Sequence, residues 1–165
     1  MTDLFGHRPT IKTISIWQPW ASLVAYGVKR HETRCWQTNY RGPIAIQAAR
    51  TIDLAGAPDL LCQHVFGEFW PKVLPTGVVV AIGDLTACEP TEKVADHLTP
   101  ADRAAGNFTR GRFAWRIENV RRIETPIPLI GRQGLFNWTP DESVDHLLGP
   151  RIDHAAACRH FGWAA

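Results

Sequence analysis

The sequence predicts an α+β fold, a small β-barrel decorated by helices. Three observations predict it. Strand-length segments rich in β-branched and aromatic residues recur along the chain, most clearly at residues 75–90 and 112–123. Helical segments do not alternate regularly with them, as a βαβ architecture would require. The 165 residues, 45% hydrophobic and 21% charged, suit one domain with its own core. No repeat, low-complexity run or internal linker divides them, so residues 1–165 read as a single domain. Its core spans about 10–138, with a helical extension over 139–165.

In chain order, residues 10–16 alternate β-branched with polar side chains and read as a strand. Pro19 suits the first turn of a helix over residues 19–26, Trp20, Leu23 and Val24 follow at helical spacing, and Gly27 is a natural C′ residue. In an extended segment after it, Glu32, Arg34 and Trp36 share one face, and Thr33 and Cys35 the other. Gly42-Pro43 signals a turn into a strand at 44–48, and 51–70 reads as one or two helices punctuated by Pro58. Gly83, inside the strand at 75–90, suggests a bulge or a close backbone approach. Residues 99–111 read as a polar loop and 112–123 as a long strand. A proline-punctuated link then leads to a short strand at 135–138. Thr139 reads as the cap of a helix over 140–148, and 154–163 as a short terminal helix.

Net charge is only +2, but it is unevenly spread. Residues 8–50 carry seven Lys and Arg against one acid, residues 101–135 seven against three, and residues 51–100 two against seven. Two basic blocks that met in the fold would form a positive patch, to which Arg110, Arg112 and Arg116 could add. Seven Trp is many for this length; such rings serve both cores and base-stacking platforms. The four cysteines form no C-x-x-C pair, the N-terminal stretch lacks an apolar signal region, and no run is long enough to span a bilayer. An intracellular, cytoplasmic protein with no cofactor or metal is the expectation. His154 and Cys158 would share a helix face, but no fourth metal ligand is evident.

The stretch Gly27–Trp36, "GVKRHETRCW", sets Lys29, Glu32 and Arg34 within six positions. They are either weakly paired surface charges or the floor of a site. In the second case Lys29 acts as a compact cation, Glu32 holds it, Arg34 contacts a phosphate, and Trp17, Trp20 and Trp36 offer flat partners to a base. His31 lies beside them.

The segment "SIWQPWASLVAYGVKRHETRCWQTNYRGPIAI" resembles the ASCH domain of the PUA-like superfamily. The matching features are Gln18-Pro19-Trp20-Ala21, then Gly27, Lys29, Glu32 and Arg34 spaced as G-x-K-x-x-E-x-R, then Tyr40-Arg41-Gly42. The later "GVVVAIGDLTAC" and "RFAWRIENVRRIETPIPLIGRQGLF" are similar to the family's central strands and its late Gln-Gly region, and the likeness covers about residues 10–138. The resemblance implies a PUA-like β-barrel with flanking helices and a cleft lined by the G-x-K-x-x-E-x-R segment. It implies a single-stranded RNA or DNA, nucleoside or nucleotide ligand, bound by Trp17, Gln18, Trp20, Lys29, Glu32, Arg34, Trp36, Arg41 and Gln133, with Gly134 allowing close backbone approach. It also implies an alternative: a metal-independent hydrolase acting on RNA, or on an acylated nucleoside such as N4-acetylcytidine. Lys29 would then be base or nucleophile and Glu32 a proton shuttle, with Tyr40, Thr33 or Asp84 completing the site. The amidohydrolase branch of the family has threonine where this chain has Glu32. Glu32 and Arg34 match instead the coactivator-like branch, in which binding is the expected role. A third option is an interaction domain with a vestigial cleft.

Overall fold

A computed structural model describes residues 9–164. Arg8 and the N-terminal residues weighed above as a possible signal lie outside the described residues. Seven strands are present in the described chain: β1 (Ile11–Gln18), β2 (His31–Arg34), β3 (Gly42–Ile52), β4 (Val78–Pro90), β5 (Phe113–Pro128), β6 (Leu135–Trp138) and β7 (Leu148–Arg151). Between and after them come α1 (Trp20–Ala25), α2 (Asp59–Phe66), α3 (Trp70–Val73), α4 (Thr91–Val94), α5 (Pro100–Ala104) and α6 (His154–His160).

The strands form one mixed sheet in the order β2-β5-β4-β3-β1-β6, with β7 also beside β5. Only the β1–β3 pair is parallel, and α1 and β2 lie in its crossover. Helices and sheet together make the α+β fold that the sequence predicts. Between α1 and the sheet, Val24, Ile14, Ile16, Ile44, Ile46, Trp115 and Ile117 pack as the central core. A second cluster lies under the helices (Leu23, Leu61, Trp70, Cys158) and a third around Ala45, Ile123 and Trp138.

Two glycines answer their sequence readings directly. Gly27 ends α1 at φ +77, and a Cβ there would stand 2.3 Å from Ile152 Cγ2, so both conformation and packing exclude a side chain. Gly83 sits at a register shift between β4 and β5, where a Cβ would lie 3.0 Å from the Glu118 carbonyl. Opposite it, Asn119 takes φ +52, a region that asparagine tolerates, and its Nδ2 donates to Asp84 Oδ2 at 2.8 Å.

Elsewhere the structure departs from the sequence reading. β3 runs on to Ile52, and helix begins only at Asp59. The expected loop at 99–111 contains α5, started by a Thr99 side chain that accepts from Asp102 N and by Pro100 in the first turn. The expected helix over 140–148 is replaced by a 3-10 turn (Asp145–Leu147) and β7. There Val144, Leu147 and Leu148 join the third core cluster, Leu148 pairs with Ile123, and Thr139 bonds Thr10 instead of capping. The segment after 139 is therefore part strand, and α6 is its α-helix. Among the described residues no helix is long and apolar enough to cross a membrane.

Candidate functional site

The sheet leaves a seam. β6 covers the outer edge of β1 only along Ile11–Ile14, so from Ser15 onward that edge has no neighbouring strand. β2 pairs with β5 on one side alone. Side chains answer these uncovered edges, and one of them, Arg34, bridges from β2 to β1. Arg34 Nη2 donates to the Ser15 carbonyl at 2.9 Å, Lys29 Nζ to the His31 carbonyl at 2.6 Å, and Arg112 Nη2 to the Thr33 carbonyl at 3.1 Å. Three basic residues thus satisfy strand carbonyls that burial would leave without partners.

Glu32 ties two of them together. Its Oε2 lies 3.3 Å from Lys29 Nζ and its Oε1 3.0 Å from Arg34 Nε. Lys29, with the side chain buried, also donates to the Ala105 carbonyl at 2.7 Å. Three acceptors therefore surround an ammonium that has three N–H groups. Each Glu32 oxygen answers one cation, so the triad keeps one net positive charge.

The wall opposite β2 is α5 and the turn after it, and Asp102 fixes that wall. Its buried carboxylate accepts from Arg30 N at 2.7 Å and His31 N at 3.0 Å, and Oδ2 lies 3.0 Å from His31 Nδ1. Burial pushes the Asp102 carboxyl up, but the His31 ring and these two backbone donors outweigh it and hold it below the usual aspartate range. His154 Nε2 approaches the same oxygen at 3.7 Å, while its Nδ1 donates to the Gly27 carbonyl at 2.7 Å. His31 is thus a structural tie, also edge-on to Phe108.

Between these walls lies a cavity of about 360 Å³, lined by Ser15–Trp17 of β1, Trp20, Lys29, Glu32–Arg34, Asp53, Gly56 and residues 104–107. Its size is that of a small-ligand site. Trp17 is 54% exposed at its edge. Of the residues expected from the sequence, Trp17, Trp20, Lys29, Glu32 and Arg34 come together here. Thr33 borders the cavity as well, despite its alternate position, and its hydroxyl accepts from Asn107 N at 3.2 Å.

Four others do not reach it. Gln18 is fully buried, bonded to Ser22 and to the Pro75 carbonyl, and joins β1 to α1. Trp36 packs edge-on against Trp115 with ring centres 4.6 Å apart. Arg41 donates to the Thr38 and Tyr40 carbonyls of its own turn. Gln133 sits on an exposed loop, and Gly134 has open space around it, so its φ of +71 and not a close approach explains the glycine. Tyr40 bonds the Pro43 carbonyl and Asp84 accepts from Asn119, both away from the cavity. Sequence reasoning missed Asp53, Gly56 and Asn107. The Thr-Pro cap of α5 was the available signal that the Asn107 segment is shaped.

The two basic blocks do meet, along the β2–β5 ladder. Their charges are partly consumed there: Glu118 bridges Arg30 and Arg116 much as Glu32 bridges Lys29 and Arg34. Behind Lys29, a second cavity of about 450 Å³ is bordered by Arg30, Glu118 and Asn119. Cys158 Sγ lies 3.7 Å from His154 Nε2, but no group of three or more His, Cys, Asp or Glu among the described residues is placed to hold a metal ion.

The sequence profile of the ASCH domain matches residues 14–127, from within β1 almost to the end of β5, the seam included. This chain belongs to the ASCH family. ASCH domains fall in the PUA-like superfamily and are associated with nucleic-acid binding. The chain is similar to Activating signal cointegrator 1 of Homo sapiens and of Mus musculus, 25% identical to each over 137 residues, covering 79% of this chain. It spans 22% of the length of those relatives. Among solved structures it is similar to the crystal structure of ASCH from Zymomonas mobilis, with 18% identity and a TM-score of 0.49. That match covers 79% of this chain and 87% of the other.

Proposed function

We propose that this ASCH domain is a binding module for RNA, DNA or a nucleotide, and that its ligand enters the cavity built on Gly27, Lys29, Glu32 and Arg34. One observation carries the reading: an aromatic-edged cavity with a fixed triad of net positive charge at its base. A base stacks on Trp17 or Trp20, and the triad at the cavity base attracts the phosphate attached to it, with Asp53 of the same lining balancing its single positive charge. Lys29 acts through its field and by holding the walls, because its three donors already meet three acceptors inside the chain. That arrangement favours binding over nucleophilic attack by Lys29, which would need a free lone pair.

The test is fluorescence anisotropy with a labelled short single-stranded RNA and its DNA counterpart over a range of salt. Affinity should fall linearly with salt on logarithmic axes. Trp17→Ala should weaken binding by roughly 5- to 150-fold, the value of one lost base stack of about 1–3 kcal/mol. Affinity that ignores both salt and Trp17 would overturn the reading. A parallel incubation with RNA carrying one N4-acetylcytidine, read by mass spectrometry, should leave the acetyl group and the strand intact. Loss of either, absent in a Lys29→Ala variant that circular dichroism shows to be folded, would make the protein a hydrolase.

A further inference from the structure

The second cavity, of about 450 Å³, has the size of a small-ligand site. Part of its wall is β5 and the loop before β2. Another part is residues 152–155 at the start of α6, beyond the last residue of the family match. Its apolar lining is Ile117, Val120 and Ile152. Two of its polar side chains are already committed. His154 gives Nδ1 to the Gly27 carbonyl and turns Nε2 toward Asp102. Glu118 accepts from Thr86 and is shared by Arg30 and Arg116.

Two opposite charges are not fully used. Arg30 gives one guanidinium N–H to Glu118, and among the described residues its remaining side-chain donors have no acceptor. Asp153 accepts from Ala156 N at 2.7 Å through Oδ1, as the cap of α6, and its Oδ2 has no donor among them. Asn119 spends Nδ2 on Asp84 and keeps Oδ1 open. A cation with spare donors and a carboxylate with a spare acceptor thus line one cavity, beside apolar side chains. A simple anion would meet Arg30, but also Glu118 and Asp153. A simple cation would meet Asp153, but also Arg30. An uncharged apolar molecule would take both charges out of water and return no hydrogen bond. A molecule with an ammonium and a carboxylate on a short apolar body answers every part of the lining.

We propose that this cavity is a second binding site, for a small zwitterion of the amino-acid class. Its carboxylate lies on Arg30, and its ammonium on Asp153 and Asn119 Oδ1. The site is independent of whatever ligand the first cavity takes. The experiment is an NMR titration of the backbone amides of the full chain with L-alanine, L-leucine and L-phenylalanine. Each is run beside its methyl ester, which lacks the anion, and its N-acetyl derivative, which lacks the cation. At least one free amino acid should give saturable shifts at Gly27, Asn119 and Asp153. Both of its capped forms should bind roughly tenfold weaker or worse, the value of one charged hydrogen bond. Arg30→Gln and Asp153→Asn should each weaken it to a similar degree. Asparagine still caps a helix and the Arg30 side chain is 35% exposed, so both variants should fold, which circular dichroism checks. If no free amino acid gives saturable shifts, the inference fails. It fails equally if free and capped forms bind alike, or if the shifts gather at Ser15, Gly56 and Asn107 of the first cavity.

Discussion

Glu32 and Glu118 are each held between two Lys or Arg cations, and the two triads differ chiefly in depth. At the seam, the Lys29 and Glu32 side chains are 1% and 10% exposed. Across β5, the Arg30 and Glu118 side chains are 35% and 30% exposed, with Arg116 beside them. The same pairing chemistry therefore has two consequences. In the outer triad, water competes for every charge, and the pair contributes little beyond fixing side-chain direction. In the inner one, Lys29 and Glu32 were stripped of water on folding and depend on their partners to recover what they lost, while Arg34, 26% exposed, keeps part of its hydration. A motif of charged residues is then not one thing: depth decides whether it decorates the fold or closes it.

The contrast can be broken most severely at Lys29. Lys29→Met leaves the His31 and Ala105 carbonyls without a donor and removes one of the two cations on Glu32. We expect a loss of about 3–5 kcal/mol in urea unfolding. A loss below about 1 kcal/mol would mean that the seam is held by something else.

Acid tests the same depth effect at Asp102. Its folded pKa is depressed, so its contribution is complete above the ordinary aspartate range and is lost as pH falls through the folded value. Stability measured from neutral to acid pH should decline in that window. Asp102→Asn should flatten the decline and cost about 1–3 kcal/mol at neutral pH, because Asn places donors where the carboxylate accepts. An unchanged acid limb would show that Asp102 does not couple to folding.

The smallest effect belongs to the outer triad. Glu118→Gln should change stability by less than about 1 kcal/mol, and added salt should erase the difference from wild type. A larger, salt-resistant effect would erase the distinction between the two triads.

Much of this was legible in the residues. Apolar, β-branched runs located β1, β4 and β5. Gly27 and Gly83 announced a cap and a close approach because glycine is the residue those geometries admit. The Lys29, Glu32, Arg34 spacing belongs to one stretch of chain, so its grouping was readable before folding. Direction was harder to read. Gln18 and Trp36 carry the right chemistry for a site, yet one points into the core and the other onto Trp115, and nothing local decides that. Asp53 and Asn107 reach the cavity from distant segments. The stretch 140–148 has helical spacing, but pairing of Leu148 with Ile123 and burial of Val144 outweigh local preference there.

The seam has one more consequence. A sheet sealed all round by backbone pairing can open only by breaking a ladder. At the edge of Ser15–Trp17, the bridge from β2 is the rotatable side chain of Arg34 on the Ser15 carbonyl, while Lys29 and Arg112 bond carbonyls on the β2 side. Parting Arg34 from Ser15 breaks no strand pair. The cavity is thus bounded on this flank by a side chain and not by a ladder, and it can widen there by rotation of one residue without unzipping the sheet.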